Sequence, residues 1–598
     1  MASDPAELAT ATDPWAPFLA AIATSVASSA VATGLSLDAA TVLAQLNLSP
    51  GAEGDVALPV HRWAAAVRRP PPELAAALAR GFPPTPGIRS AAATGAYLNV
   101  RVDGAALVRS TLDLVARLGA RYGHRPAAGP VACVEHTSAN ATGPFHIGRV
   151  RNAIIGDTFA RTLRASGVPV TTQYYVDDMG RQAAMITWVW SKPRDEWPAP
   201  IREAVDGKEV AGEKTDAHRG RPYPAVSAYL KEHPEAQAEV AEIVHSLETG
   251  HPPPRHRELT QSILDGMLAS LARLGIGFDE FVWESSFIAD GSVERVLERL
   301  GAAPHAVREQ NGALAIDTAG YGLPKESTRV VVRRGNGTSL YVTRDVAYHL
   351  AKFARFSRVI DVLGQDHQLH ARTLDALLAE IGEARRPEFV IYQDITVPEG
   401  GRMSTRGGSA VWLDALLLEA VERARREVIA RRDDLDPAGV ERIAEAVATG
   451  AIRYHIVRIA PEKPVVFRWE DALSFEGRSG PFVQYSYARA ASLLRKAEDL
   501  SPPYAYDAEK LSDPEEQALV RVVASLPRAV EYAARSTHVQ GIAGYAHDLA
   551  DQFNRFYHAV PVLKSGVERT SRVALVAAVR QTLGNALDLL GVPRLETM

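Results

Sequence analysis

The sequence predicts a multidomain α/β chain: a parallel-sheet core carrying a helical insertion, preceded by a small α+β part and followed by an all-helical one. Three observations predict it. Val131 to Glu135 is a short apolar run that reads as a buried strand, and behind it Ile147, Val150, Ile154, Ile155, Phe159 and Leu163 recur at helical spacing until Gly167 closes the helix. A second apolar run, Val168 to Val176, completes a strand-helix-strand unit. From Glu419 onward the pattern is nearly all helical. The first unit puts a helix amino terminus, with free N–H groups and partial positive charge, at the carboxyl edge of a parallel sheet, where nucleotides bind in Rossmann-type folds. The loop between, Ala141-Thr142-Gly143-Pro144-Phe145-His146-Ile147-Gly148-Arg149, has neither a dinucleotide glycine fingerprint nor a Lys-Ser/Thr phosphate cradle. It offers a histidine, a glycine and an arginine at the helix mouth.

Length and composition set the frame. The 598 residues make roughly three or four domains of about 150 residues each. Hydrophobic content of 46% and charged content of 23% are those of a globular protein with an ample core. The amino terminus is acidic where a secretory signal is basic, and no apolar run reads as long enough to span a bilayer, so the expectation is a cytoplasmic protein without membrane partners. Cys133, the only cysteine, excludes an intrachain disulfide and every multi-cysteine zinc site; in its apolar strand it reads as core, not nucleophile. A net charge of −5 does not announce a nucleic-acid binder, yet total charge says little about a local basic surface.

Taken in order, residues Ala11 to Leu48 give Ala-rich helical patterns broken at Gly34-Leu35-Ser36, and Gly54 to Pro59 is expected to begin another helical segment. Ile88 to Val102 reads as a strand pair around Thr94-Gly95. Pro198-Ala199-Pro200, His218-Arg219-Gly220-Arg221-Pro222 and His251 to Pro254 interrupt the pattern, marking an insertion over about 190–260. Its histidines 218, 233, 245, 251 and 256 lack metal-ligand spacing and read as solvated loop residues. Glu258 to Leu274 resumes an amphipathic helix. A second half follows: a strand over Leu340 to Thr343, Asp345 as helix cap, a helix over Val346 to Phe353, and strands over Arg358 to Leu363 and Glu388 to Gln393. Gly364 to His370 falls at the sheet edge, and the last strand leads to Gly400-Gly401-Arg402-Met403-Ser404-Thr405-Arg406-Gly407-Gly408. Gly480 to Arg489 opens the final helical domain.

The run around His146 resembles the HIGH signature of class I aminoacyl-tRNA synthetases, with Arg149 where a second histidine is usual. The stretch Glu135 to Asn140, continuing to Asp157, is most similar to the arginyl-tRNA synthetases, and Arg402 to Arg406 looks like KMSKS in its arginyl form. The two signatures stand in the right order, each directly after a strand. The resemblance implies ATP-dependent activation of L-arginine and its transfer to tRNA, with ATP and Mg²⁺, no zinc, and a monomer. It implies an amino-terminal domain over 1–125 that binds the tRNA elbow and a catalytic domain over 126–415. A helical connection over 416–478 and a helical anticodon-binding domain over 479–598 complete the expected order.

Residue by residue, the resemblance implies a catalytic set of His146, Gly148, Arg149, Arg402, Met403, Ser404 and Arg406. His146, Arg402 and Arg406 donate to phosphates as negative charge builds there, while Gly148 lets adenine lie against backbone. Glu135 and Asp345 fork the guanidinium, with Tyr341 as wall; Asn140 holds the substrate α-amino group, helped by His367, and Ser138 belongs to the same stretch. Tyr97 and Asn99 would read a splayed base, and Tyr485, Arg489 and Met598 fall on the anticodon face. Core packing remains an alternative for Tyr97 and Tyr485, as do a simple cap for Asp345 and a surface carboxylate for Glu135. Three rival functions stay open: a class I synthetase for another amino acid, a degenerate synthetase that binds tRNA as a regulator, and a duplicate enzyme serving a specialised pathway. The family also implies that activation needs tRNA.

Overall fold

A computed structural model describes residues 12–48, 51, 53–206, 213–396 and 412–598. Near the amino terminus, helix α1 (Ala16–Val31) buries Phe18, Leu19, Ile22 and Val26 in a core shared with a four-stranded antiparallel sheet. Its strands β1 (Asn47–Leu48), β2 (Val56–Pro59), β3 (Ile88–Thr94) and β4 (Tyr97–Val102) lie in the order β1-β2-β4-β3. The expectation of a helix from Gly54 is therefore wrong. Val56 and Leu58 are buried while Ala57 and Pro59 are half-buried, a period of two, and Val56 pairs with Val100 across the ladder. Helix α2 (Gly104–Leu118), capped by the Asp103 carboxylate on Ala106 N, leads out of this sheet.

The core is a five-stranded, wholly parallel sheet. Strands β5 (Ala132–Glu135), β6 (Val170–Val176) and β7 (Glu280–Trp283) form one half; β11 (Arg358–Gly364) and β12 (Glu388–Tyr392) form the other, in the order β12-β11-β5-β6-β7. β5 sits centrally and is buried throughout, as a doubly covered parallel strand must be. Cys133 lies in it, and burial pushes its thiol up to about 12, so it is core as expected. Helix α3 (Ile147–Ala165) crosses between β5 and β6. Its Gly156 is required by packing: a Cβ there would overlap Cβ and Cγ of His136. A small antiparallel sheet of β8 (Ala306–Arg308), β9 (Leu314–Asp317) and β10 (Arg329–Arg333) stands between the halves and was not legible in the sequence.

The insertion runs from the end of helix α4 (Gly180–Trp190) through α5 (Thr215–Gly220) and helices Tyr223–Glu232 and Pro234–Glu248 to helix α6 (His256–Arg273). It has its own core of Trp188, Trp197, Val226, Leu230, Val240 and Leu247. His256 departs from the solvated-loop expectation: it is buried at the start of α6, bonded to Thr187 Oγ1 at 2.7 Å and Asp178 O at 2.8 Å. His218 and His245 are helical as well.

Helix α7 corrects another expectation. It runs over Tyr341–Arg355 with Leu340 as its cap, so Leu340 to Thr343 is not a strand and Asp345 is not a cap. Val342 and Val346 face a buried cluster and the Thr343 hydroxyl donates to Val332 O at 2.7 Å, tertiary contacts that override the β-prone composition. Helix α8 (Gln368–Glu380) follows β11, and β13 (Ile395–Thr396) pairs in parallel with β14 (Val465–Val466). The carboxyl-terminal third is helical, including α9 (Leu413–Arg431), α10 (Pro437–Val457), α11 (Gly480–Lys496), α12 (Gln540–Ala559) and α13 (Arg569–Leu590). α13, contrary to the sequence reading, is long and apolar enough to cross a bilayer by length and composition; 78% of its apolar stretch is buried within the protein.

Candidate active site

The carboxyl ends of the strands open into one cleft of about 420 Å³. Of the expected residues it brings together Glu135, Ser138, Asn140, Arg149, Tyr341, Asp345 and His367. Glu135 ends β5, and directly after it Thr137 and Ser138 adopt positive φ of 73° and 37°. Such left-handed non-glycine backbone costs about 1–3 kcal/mol per residue and persists only where surroundings enforce it. Here Asn152 on α3 enforces it, accepting from Thr137 N at 2.7 Å and donating to Val362 O at 2.8 Å. The Ser138 hydroxyl accepts from Tyr175 N at 3.0 Å and donates to Glu135 Oε1 at 2.9 Å, and so aims that carboxylate. Asn140 Nδ2 donates to Gln182 Oε1 at 3.0 Å.

Beneath the cleft lies a buried charge network. Lys352 Nζ donates to Glu135 Oε2 at 2.5 Å and Asp361 Oδ1 at 2.7 Å, and His349 bonds Asp361 Oδ2 at 2.7 Å. Burial raises the Glu135 carboxyl, with Lys352 opposing; burial alone would lower Lys352, but Asp361 and Glu135 outweigh it and hold the ammonium charged. Asp361 is driven down, its burial outweighed by Lys352 and His349. At the rim Asp345 bonds His370; burial pushes the carboxyl up, but His370 more than compensates and the net shift is downward. Tyr341 stands beside them, 60% exposed, its ring centre 5.2 Å from that of His370. Across the cleft, burial raises both Asp177 and Glu284, the latter also paired with Arg344.

His146 caps α3: its Nδ1 accepts from Gly148 N at 3.0 Å. Burial and Arg149 lower its proton affinity, so the neutral ring carries its hydrogen on Nε2, a donor at the helix mouth. Arg149, 3.8 Å from Asp366, takes the place beside it. Arg402, Met403, Ser404 and Arg406 lie outside the described residues; Trp412, just beyond, bridges to His146 with ring centres 6.0 Å apart.

The expected RNA contacts are elsewhere. Tyr97 is 45% exposed on β4, whereas Asn99 on the same strand is only 8% exposed. Tyr485 is 38% exposed on α11, and the Arg489 guanidinium lies 4.7 Å from its ring and 4.8 Å from that of Tyr557. Met598 is half-buried against the bundle, and Arg432 Nη1 donates to its carbonyl at 3.1 Å. Sequence reasoning missed Lys352, Asp361, His370, Asp177 and Glu284. Asp345, His349 and Lys352 do recur at helical spacing, and Asp361 interrupts an apolar strand, both signals of a buried polar site.

A parallel sheet with a capped helix mouth beside an acidic cleft is the arrangement expected of a class I tRNA synthetase core. The family described as "tRNA synthetases class I (R), catalytic domain" matches residues 128–469, and "DALR anticodon binding domain" matches 483–598. The chain is 40% identical to the arginine–tRNA ligase of Methanocella arvoryzae over 566 residues, 94% of this chain and 97% of that one. It is 41% identical to that of Methanothermobacter thermautotrophicus over 546 residues, covering 91% and 93%. Thermus thermophilus arginyl-tRNA synthetase superposes with a TM-score of 0.79 at 30% identity, covering 97% and 99%. The chain belongs to the arginine–tRNA ligase family.

Proposed function

We infer that this chain joins L-arginine to tRNA at the expense of ATP. The observation that supports the choice of amino acid is the acidic lining of the cleft: Glu135, Asp177, Glu284, Asp345, Asp361 and Asp366 stand there, with Arg149 the one arginine among the described lining residues, while Lys352 beneath holds Glu135 and Asp361 and Arg344 holds Glu284. A permanently charged, planar guanidinium suits such a site, with Asp345 at the rim as its fork. The substrate carboxylate attacks the α-phosphorus of ATP, the bond to the bridging oxygen breaks, and pyrophosphate leaves with the negative charge. His146 Nε2 donates to the phosphate oxygens, with Arg149 beside it. Arg402 and Arg406 are assigned to the departing pyrophosphate. A terminal ribose hydroxyl of tRNA then attacks the adenylate carbonyl and AMP leaves. Among the described residues no group of three His, Cys, Asp or Glu is placed to hold a metal ion, and Mg²⁺ enters as the counter-ion of ATP.

Tyr97 and the Tyr485-Arg489 face are assigned to RNA, the four parts expected from the sequence serving elbow binding, catalysis, connection and anticodon binding. The test is aminoacylation of total tRNA with each amino acid in turn. Charging by arginine alone is expected; charging by another amino acid, or tRNA binding without charging by any, overturns the reading.

A further inference from the structure

We propose that Gly220 and Lys214, carried by the insertion, are positioning residues for the His146 loop. The proposal rests on the reading of that loop as the ATP-phosphate site, and it gives the insertion a part in the reaction.

The insertion grips the loop at two points. On the first side, Gly220 at the end of α5 packs directly on the backbone of the loop: a Cβ on Gly220 would lie 2.9 Å from Thr142 O and closer still to Gly143 Cα. A glycine faces a glycine, so two backbones meet with no side chain between to absorb a shift. On the second side, Trp412 forms an isolated bridge with His146, and Leu413 N donates to Phe145 O at 2.8 Å. Trp412 caps α9, and Asp414 in the first turn of α9 is where the insertion takes hold. Lys214 Nζ donates to Asp414 Oδ2 at 2.8 Å, while Ser270 on α6 donates to Asp414 Oδ1 at 2.8 Å. Lys214 also contacts Ser270 Oγ and reaches Asp216 Oδ2 at 3.3 Å. Residue 143 is thus held by Gly220, and residues 145 and 146 are held through Trp412, Leu413 and Asp414 by Lys214.

The consequence concerns ATP more than arginine. His146 must present Nε2 at a fixed place, and displacement of a catalytic donor by about 1 Å lowers rate by about a hundredfold. The acidic side chains of the arginine cleft stand on β5, β11 and α7 and just after β6 and β7, which Gly220 and Lys214 do not touch in any described contact; of its lining only Ser138, Asn140 and Arg149 flank the gripped segment.

The experiment measures steady-state aminoacylation of tRNA by the full chain, varying ATP and arginine separately, with melting temperature followed in parallel. For Gly220→Ala, kcat/KM for ATP is expected to fall about 10- to 100-fold while KM for arginine stays within about twofold. Lys214→Met is expected to show the same split more weakly. Lys214→Arg, and the exchanged pair Lys214→Asp with Asp414→Lys, are expected to restore ATP usage. Equal losses toward both substrates, no kinetic change in a folded variant, or a lowered melting temperature with no split would each overturn the proposal. If Gly220→Ala does not fold, the Lys214 series decides alone. A wild-type chain that charges no arginine fails the functional reading itself, an outcome distinct from loss of the split.

Discussion

At Asp345 two cations compete for one carboxylate: the His370 ring that bonds it in the free structure and the guanidinium it is proposed to receive. Asp345→Asn keeps the shape and removes the charge. The expected result is a rise in KM for arginine equivalent to about 2–5 kcal/mol, with KM for ATP far less affected; an unchanged arginine constant refutes the assignment. The competition also has a pH signature. Burial opposes the charge on His370, but the Asp345 bond outweighs it and raises its proton affinity, so the ring is charged below its ordinary 6.5 and loses the proton only at a higher pH. Asp345, held below its ordinary 3.8, stays ionised down to that value. The mutual attraction is therefore complete between about 3.8 and 6.5 and is lost as pH rises through the raised value of His370. Above that value Asp345 is released to the substrate, so KM for arginine should fall with rising pH, and His370→Gln should flatten that profile. A fall that survives in His370→Gln would assign it to another group.

At the scale of elements, α7 and β5 show what the sequence could and could not disclose. The unit from Val131 to Val176 was legible because its signals are local: an apolar run, a 3.6-residue period and a closing glycine, matching β5, α3 and β6 to within two residues at each end. Leu340 to Thr343 misled because a β-prone tetrapeptide looks like a strand until packing against Val332 makes it the start of α7. Lys352 was invisible as a site residue because its partner Glu135 is 217 residues away, and only the strand order brings them together. That pairing makes a prediction about stability. Lys352→Met keeps most of the apolar stem but leaves Glu135 and Asp361 buried without their cation, and breaking such a pair from one side costs about 3–5 kcal/mol. Urea unfolding at neutral pH measures it. A loss below about 1 kcal/mol, the range of surface pairs, would mean that the network is better hydrated than its burial indicates.

Across the whole molecule, the helical bundle is fastened to the signature helix rather than merely tethered beside it. Arg453 on α10, fully buried, donates to Asp157 on α3 at 2.5 Å, to Leu274 O after α6 at 2.7 Å and to Leu590 O at the end of α13 at 2.7 Å. The amino-terminal part is fastened to the same bundle, through Arg521 Nε to Asp55 Oδ1 at 2.6 Å just before β2 and through Tyr122 OH to Val523 O at 2.8 Å beyond α2. An RNA that engages Tyr97 and the Tyr485-Arg489 face therefore loads the bundle, which bears through Arg453 on α3, the helix capped by His146, and the amino-terminal part, which bears on the bundle. Binding energy can favour one arrangement of that loop only by differential affinity, and a few kcal/mol suffices to invert a minor state. Arginine activation, measured as exchange of pyrophosphate into ATP, is accordingly expected to be slow or absent without tRNA and fast with it. The assay compares intact tRNA, tRNA lacking its terminal adenosine, and none. Rapid exchange in all three refutes coupling through the bundle. Exchange that needs tRNA but not its terminal adenosine places the coupling in the Arg453 joint, whereas exchange that needs both places it at the 3′ end beside His146.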